Sequence, residues 1–76
     1  MVNKENWIAL KQRQPLLAKQ IIDLAKIEYL FLSGDTSQTL SERGHRYLFR
    51  ILKQNNICTF TNGVELFSDI REIANS

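Results

Sequence analysis

Arg43, Arg46, Arg50 and Lys53 recur at i, i+3, i+7 and i+10 within the stretch LSERGHRYLFRILKQ, Leu40 to Gln54. Wound as a helix at about 100° per residue, they fall within an arc of roughly 80°. Leu40, Tyr47, Leu48, Ile51 and Leu52 collect on another side, so one face seeks a core and another seeks an anion. A row of cations at this spacing can meet the carboxylates of an acidic protein surface, or successive phosphates of a nucleic acid with release of counterions. Phe49 lies close to the row and can add stacking. A bland reading competes with both. Glu65, Asp69 and Glu72 stand at i, i+4 and i+7 further along, an acidic stripe of nearly matching length that could neutralise the basic one within the chain or across a dimer.

Other residues able to do chemistry are isolated. His45 is the sole histidine and sits between the apolar and polar arcs. A catalytic role would need a nucleophile or a carboxylate at reach, and no spacing supplies one. Cys58 is the sole cysteine, so it has no disulfide partner, and its apolar surroundings suit a buried small side chain better than a reactive thiol. Gly34, Gly44 and Gly63 make no phosphate-cradling loop. No metal site, cofactor or enzymatic activity is expected.

Ten basic against eight acidic residues leave a formal charge of +2, far from the dense cationic surface of a nucleic-acid-binding tail. Only local clustering therefore argues for DNA or RNA. With 43% hydrophobic and 24% charged residues the chain reads as one globular domain over residues 1–76. A domain of this size buries only about 60% of its unfolded surface, which makes its stability margin thin and a homodimer a natural way to add burial. The longest apolar-rich stretch, Ile21 to Leu32, is interrupted by Asp23, Lys26 and Glu28, which speaks against a membrane span, and the single cysteine points to the cytoplasm.

These residues need helices to position them. Asn3 is a suitable N-cap for a first helix through Lys4 to Gln14, with Trp7 and Leu10 on its inner face. Trp7 reads as a core anchor, with an interface role as the alternative. Pro15 breaks or kinks the pattern and can open a new helix. In Leu16 to Leu32 the polar residues Lys19, Asp23 and Lys26 gather on one narrow side, so this helix should be central and packed on several neighbours, with Gly34 closing its end. The pair Thr39 and Glu42 has capping-box spacing and predicts the start of the basic helix. Gly44 inside it costs about 1 kcal/mol relative to alanine, which suggests close approach of another helix. After Asn55-Asn56 the reading forks. Asn62-Gly63 between ICTF and VELF can turn a β-hairpin over 57–67, or Asn62 with Glu65 can cap a helix through Val64, Phe67, Ile70 and Ala74. The helix accounts for more residues, because the apolar spacing persists to Ala74.

Leu48 to Ile70, LFRILKQNNICTFTNGVELFSDI, resembles the opening of a helix-turn-helix unit in its rhythm. The resemblance implies a recognition helix, yet only Arg71 to Ser76 follow the second helix, so any contact with DNA falls to Arg43, Arg46 and Arg50. The expectation is an all-α domain of three or four helices, with a C-terminal hairpin as the alternative. Its expected function is that of a small non-enzymatic regulator or adaptor, binding an acidic protein surface through Arg43, Arg46, Phe49, Arg50 and Lys53. Nucleic-acid binding by the same row, as a dimer, is the rival, and Trp7 and Phe60 are further contact candidates.

Overall fold

The computed structural model describes residues 1–76 as four helices: α1 (Lys4–Arg13), α2 (Pro15–Leu32), α3 (Glu42–Gln54) and α4 (Gly63–Ala74). The protein is all-α. Asn3 caps α1 through its side chain, which accepts from the Asn6 amide at 3.1 Å. Gln14 then leaves helical geometry, with φ −135° and ψ 70°, and Pro15 opens α2 at a position where its missing donor is not needed. The break is therefore complete rather than a kink. At the far end of α2, Gly34 takes φ +101°, the Gly34 amide donates to the Phe31 carbonyl and the Asp35 amide to the Leu30 carbonyl, closing the last turn.

The start of α3 differs from the expected Thr39 cap. Ser41 is the capping residue, its hydroxyl accepting from the Gly44 amide at 3.1 Å, while the Glu42 carboxylate turns outward to Arg46. Leu40 is left outside the helix, half-buried against the core. The same turn explains Gly44. A Cβ there would lie 3.4 Å from Ser41 Oγ and 3.7 Å from Leu40 Cβ, so the close approach is the helix's own entry turn and not another helix.

The C-terminal hairpin is not formed, because residues from Gly63 onward are helical. Asn62 caps α4 by accepting from the Glu65 amide at 2.9 Å, and Glu65 reaches back one residue further than a reciprocal box, to the Thr61 amide and hydroxyl. The β-prone run instead pairs with the start of the chain. Val2 and Cys58 form an isolated antiparallel bridge, with the Asn3 amide donating to the Ile57 carbonyl at 2.7 Å.

Helix α2 is central as expected. The backbones of α1, α3 and α4 each approach it, α4 along the most extensive interface, and none of the three approaches another. The shared core contains Trp7 and Leu10 from α1, Ala18, Ile21 and Ala25 from α2, Leu48 and Leu52 from α3, and Ile70, Ile73 and Ala74 from α4, closed by Val2, Ile57 and Cys58. No helix is long and apolar enough to cross a membrane.

Candidate binding face on the third helix

Helix α3 buries Leu48 and Leu52, half-buries Tyr47, Phe49 and Ile51, and leaves Arg43, Arg46, Arg50 and Lys53 exposed. The basic row thus stands on the outer face, opposite the core. Two polar contacts hold the helix in place against α2. Tyr47 Oη donates to Gln20 Oε1 at 3.1 Å, and His45 Nδ1 lies 2.5 Å from Glu28 Oε2. Glu28 is only 2% exposed, so its carboxylate is a buried group whose partner is the half-exposed imidazole. A carboxylate placed so can orient the ring and fix which nitrogen faces outward.

Sequence spacing missed this pair, because Glu28 and His45 belong to different helices. A burial signal was available: Glu28 follows Ile21 at i+7 and Ala25 at i+3 on the inward side of α2. What the pair shows is a ring oriented by a buried carboxylate from the neighbouring helix.

Aromatic rings bracket the row. Phe49 stands edge-on to His45, with centroids 4.4 Å apart, and edge-on to Phe60 at 5.5 Å. Lys53 Nζ lies 5.0 Å from the Phe60 ring centre, and the Arg50 guanidinium 6.0 Å from that of Tyr47. These contacts restrain two of the cations without neutralising them. Phe49 and Phe60 are therefore engaged in supporting the face. Trp7 is elsewhere: it is 4% exposed, and its indole N–H donates to Ser76 Oγ at 2.8 Å, so in the monomer it presents little surface to a partner.

Pairing of the basic row with the acidic stripe of α4 does not occur within the chain. Helices α3 and α4 do not approach each other, and each acidic side chain except Glu72 has another engagement. Asp69 is 3% exposed and holds the Met1 ammonium at 3.0 Å, a bond that raises the pKa of that amine. Burial equally withdraws Asp69 from pairing across a dimer. The Glu65 carboxylate accepts the Thr61 amide and hydroxyl, which pull its pKa down. Of the four cations in the row only Arg46 has a carboxylate partner, Glu42, one helical turn away and fully on the surface.

Cys58, paired with Val2 in the isolated bridge, is buried, and desolvation pushes its thiol up to about 12, with Asp69 adding to the effect. A thiol shifted in that direction is a poor nucleophile near neutral pH. No group of three or more His, Cys, Asp or Glu side chains is placed to hold a metal ion. The largest depression, an open cleft of about 600 Å³, lies between Lys4 and the end of α4 and does not include α3. The helix-turn-helix arrangement is also absent, since α3 and α4 pack on α2 rather than on each other. No protein-family model, no curated protein and no solved structure matches the chain.

Proposed function

We propose that this protein is a small non-enzymatic binding protein, regulatory or adaptor in character, whose α3 face engages an acidic surface of a larger protein. The observation that carries this reading is that Arg43, Arg50 and Lys53 have no carboxylate partner in the chain, while the acidic stripe that would have matched them lies on α4, which does not approach α3, with Asp69 buried against Met1. Exposed cations on a helix held by Tyr47–Gln20 and His45–Glu28 keep their spacing, which favours recognition of a fixed pattern of charges. The low net charge of +2 argues for a local, oriented interaction over indiscriminate polyanion binding.

Nucleic-acid binding is the second reading, supported by the aromatic faces of Tyr47 and Phe60 beside Arg50 and Lys53. Titration of fluorescein-labelled polyglutamate and of a labelled DNA duplex, at low and then moderate salt, separates the two. We expect polyglutamate to bind, and Arg46→Glu with Arg50→Glu to weaken it by at least about tenfold in protein that stays folded, because each charge reversal replaces attraction with repulsion. Tighter binding of the duplex, falling steeply with salt and lost in the same variant, would put the nucleic-acid reading first. Absence of binding to either would overturn the role of the row.

A further inference from the structure

Asn62 and Gly63 start α4 at the surface, and both are exposed. Of the six asparagines in the chain, Asn62 alone is followed by glycine. The distinction is chemical, because the carbonyl of an asparagine side chain lies within reach of the next residue's backbone nitrogen, and a side chain on that residue obstructs the approach. Nothing obstructs it at Gly63. Even a Cβ added there would meet no atom within 4 Å.

The hydrogen bonds around the dipeptide suit an attack on that carbonyl. Gly63 is the first residue of α4, so its amide has no carbonyl to bond within the helix, and it donates to no other group of the protein. Asn62 Nδ2 is likewise unbonded, whereas Asn62 Oδ1 accepts from the Glu65 amide at 2.9 Å. That donor is aimed at the atom on which negative charge develops when the carbonyl is attacked. The cap thus polarises the carbonyl and leaves the side-chain nitrogen free to depart. Asn62 itself is extended, at φ −150° and ψ 174°, so bringing the Gly63 nitrogen onto Cγ takes a rotation at the very start of α4. Its cost is the bond from the Leu66 amide to the Asn62 carbonyl.

We propose that Asn62-Gly63 is a site of spontaneous covalent modification, at which the side-chain amide becomes a carboxylate through a cyclic imide. The Gly63 backbone nitrogen gives its proton to solvent base and bonds to Asn62 Cγ. The Cγ–Nδ2 bond breaks, and Nδ2 takes a proton from water and leaves as ammonia. Water then opens the imide at either carbonyl. Attack at Cγ gives aspartate at position 62, and attack at the backbone carbonyl gives isoaspartate, with the main chain now running through Cγ. Water is the sole co-reactant, and no oxidant or reductant is involved.

The two products differ in what they do to α4. Aspartate still caps the helix. Isoaspartate adds a methylene to the backbone and removes the side-chain oxygen that the Glu65 amide bonds. Phe67, little more than a turn into α4, packs against Tyr29 of α2, so a disturbed first turn loosens the most extensive interface in the bundle.

The test is incubation of the folded full chain at neutral and at mildly alkaline pH, followed by trypsin digestion and mass spectrometry. Cleavage after Lys53 and Arg71 releases residues 54–71 as one peptide, in which Asn55 and Asn56, each followed by a residue with a side chain, are internal controls. The expected result is amide-to-acid conversion at position 62, divided between aspartate and isoaspartate, faster at the higher pH and absent from Asn55 and Asn56. Gly63→Ala should slow it by roughly tenfold. Gly63→Pro should abolish it, since proline is accepted at the first helical position and has no N–H to lose. Both variants keep the Asn62 cap, and circular dichroism checks that each is folded. The separated isoaspartate form should unfold at a lower urea concentration than the unmodified chain, and the aspartate form at an unchanged one. The proposal is overturned if position 62 stays unconverted in the folded chain over a time in which the urea-unfolded chain converts. Conversion at the same rate in both Gly63 variants as in the unsubstituted chain overturns it as well.

Discussion

At the scale of single residues, the buried carboxylate of Glu28 is the most consequential polar group, since a charge taken out of water must be matched to be tolerated. His45 matches it, from a position that is itself 49% exposed. Truncating His45 alone therefore leaves the carboxylate buried without a partner. His45→Ala should cost about 1–2 kcal/mol in urea unfolding, discounted from a fully buried contact because solvent reaches the imidazole side. Removing both groups should hurt less than removing one: Glu28→Met combined with His45→Ala is expected to be more stable than His45→Ala, since the apolar side chain no longer needs a partner. A double variant as unstable as the sum of its parts would show that the pair is not coupled. Asp69 repeats the theme with the Met1 ammonium as its partner.

At the scale of elements, the ends of the helices decide how the basic face of α3 is presented. Helix α3 stops because Asn56 adopts φ +53°, the Asn56 amide donates to the Lys53 carbonyl and the Ile57 amide to the Leu52 carbonyl. Asparagine thus serves where glycine is usual, and Leu52 and Ile57, both fully buried, supply the apolar side of the motif. Alanine tolerates this left-handed conformation less well than asparagine. Asn56→Ala should lower stability by about 1 kcal/mol, whereas Asn56→Gly should be neutral or stabilising, as read from denaturation midpoints. The contact from Asn6 Nδ2 to the Asn56 carbonyl uses backbone on the Asn56 side and survives both changes. An equal loss in both variants would place the importance of Asn56 in its side chain instead.

At the scale of the whole molecule, four helices share a core of thirteen buried apolar residues, and every outer helix reaches its neighbours through α2. Such an arrangement has no independent half. The radius of gyration, 11.5 Å, is that of a compact chain of this length, for which roughly 11 Å is expected. Stability of a domain this size is on the order of 4–11 kcal/mol. Truncating fully buried Ile73 to Ala should cost about 3 kcal/mol and consume much of that margin. Loss of ellipticity, which reports all the helices, should coincide with the change in Trp7 fluorescence, which reports the α1–α4 end of the core. Separate midpoints would mean that part of the bundle unfolds apart from the core around Trp7.

Much of this protein was legible in the chain itself, for reasons that are local. The Asn3 and Asn62 caps, the break at Pro15, the left-handed Gly34 and the amphipathic face of α3 each depend on residues within a few positions of one another. The centrality of α2 followed from the width of its apolar arc, because a helix apolar on most sides must have several neighbours. The exposed basic row followed from the same periodicity. Local pattern misplaced the start of α3 by two residues, since Thr39 and Ser41 are both capable caps and the choice depends on how the 33–41 segment brings Leu40 against the core. It also assigned Gly44 to a helix contact that is in fact its own entry turn. Pairing across distance lay beyond it altogether. That Glu28 meets His45, that Cys58 bridges to Val2, and that Asp69 turns inward to Met1 while α3 stays remote from α4 are consequences of how helices are stacked. Periodicity states which face of a helix is buried. Only the packed structure decides which groups meet there, and therefore which cations are left unpaired.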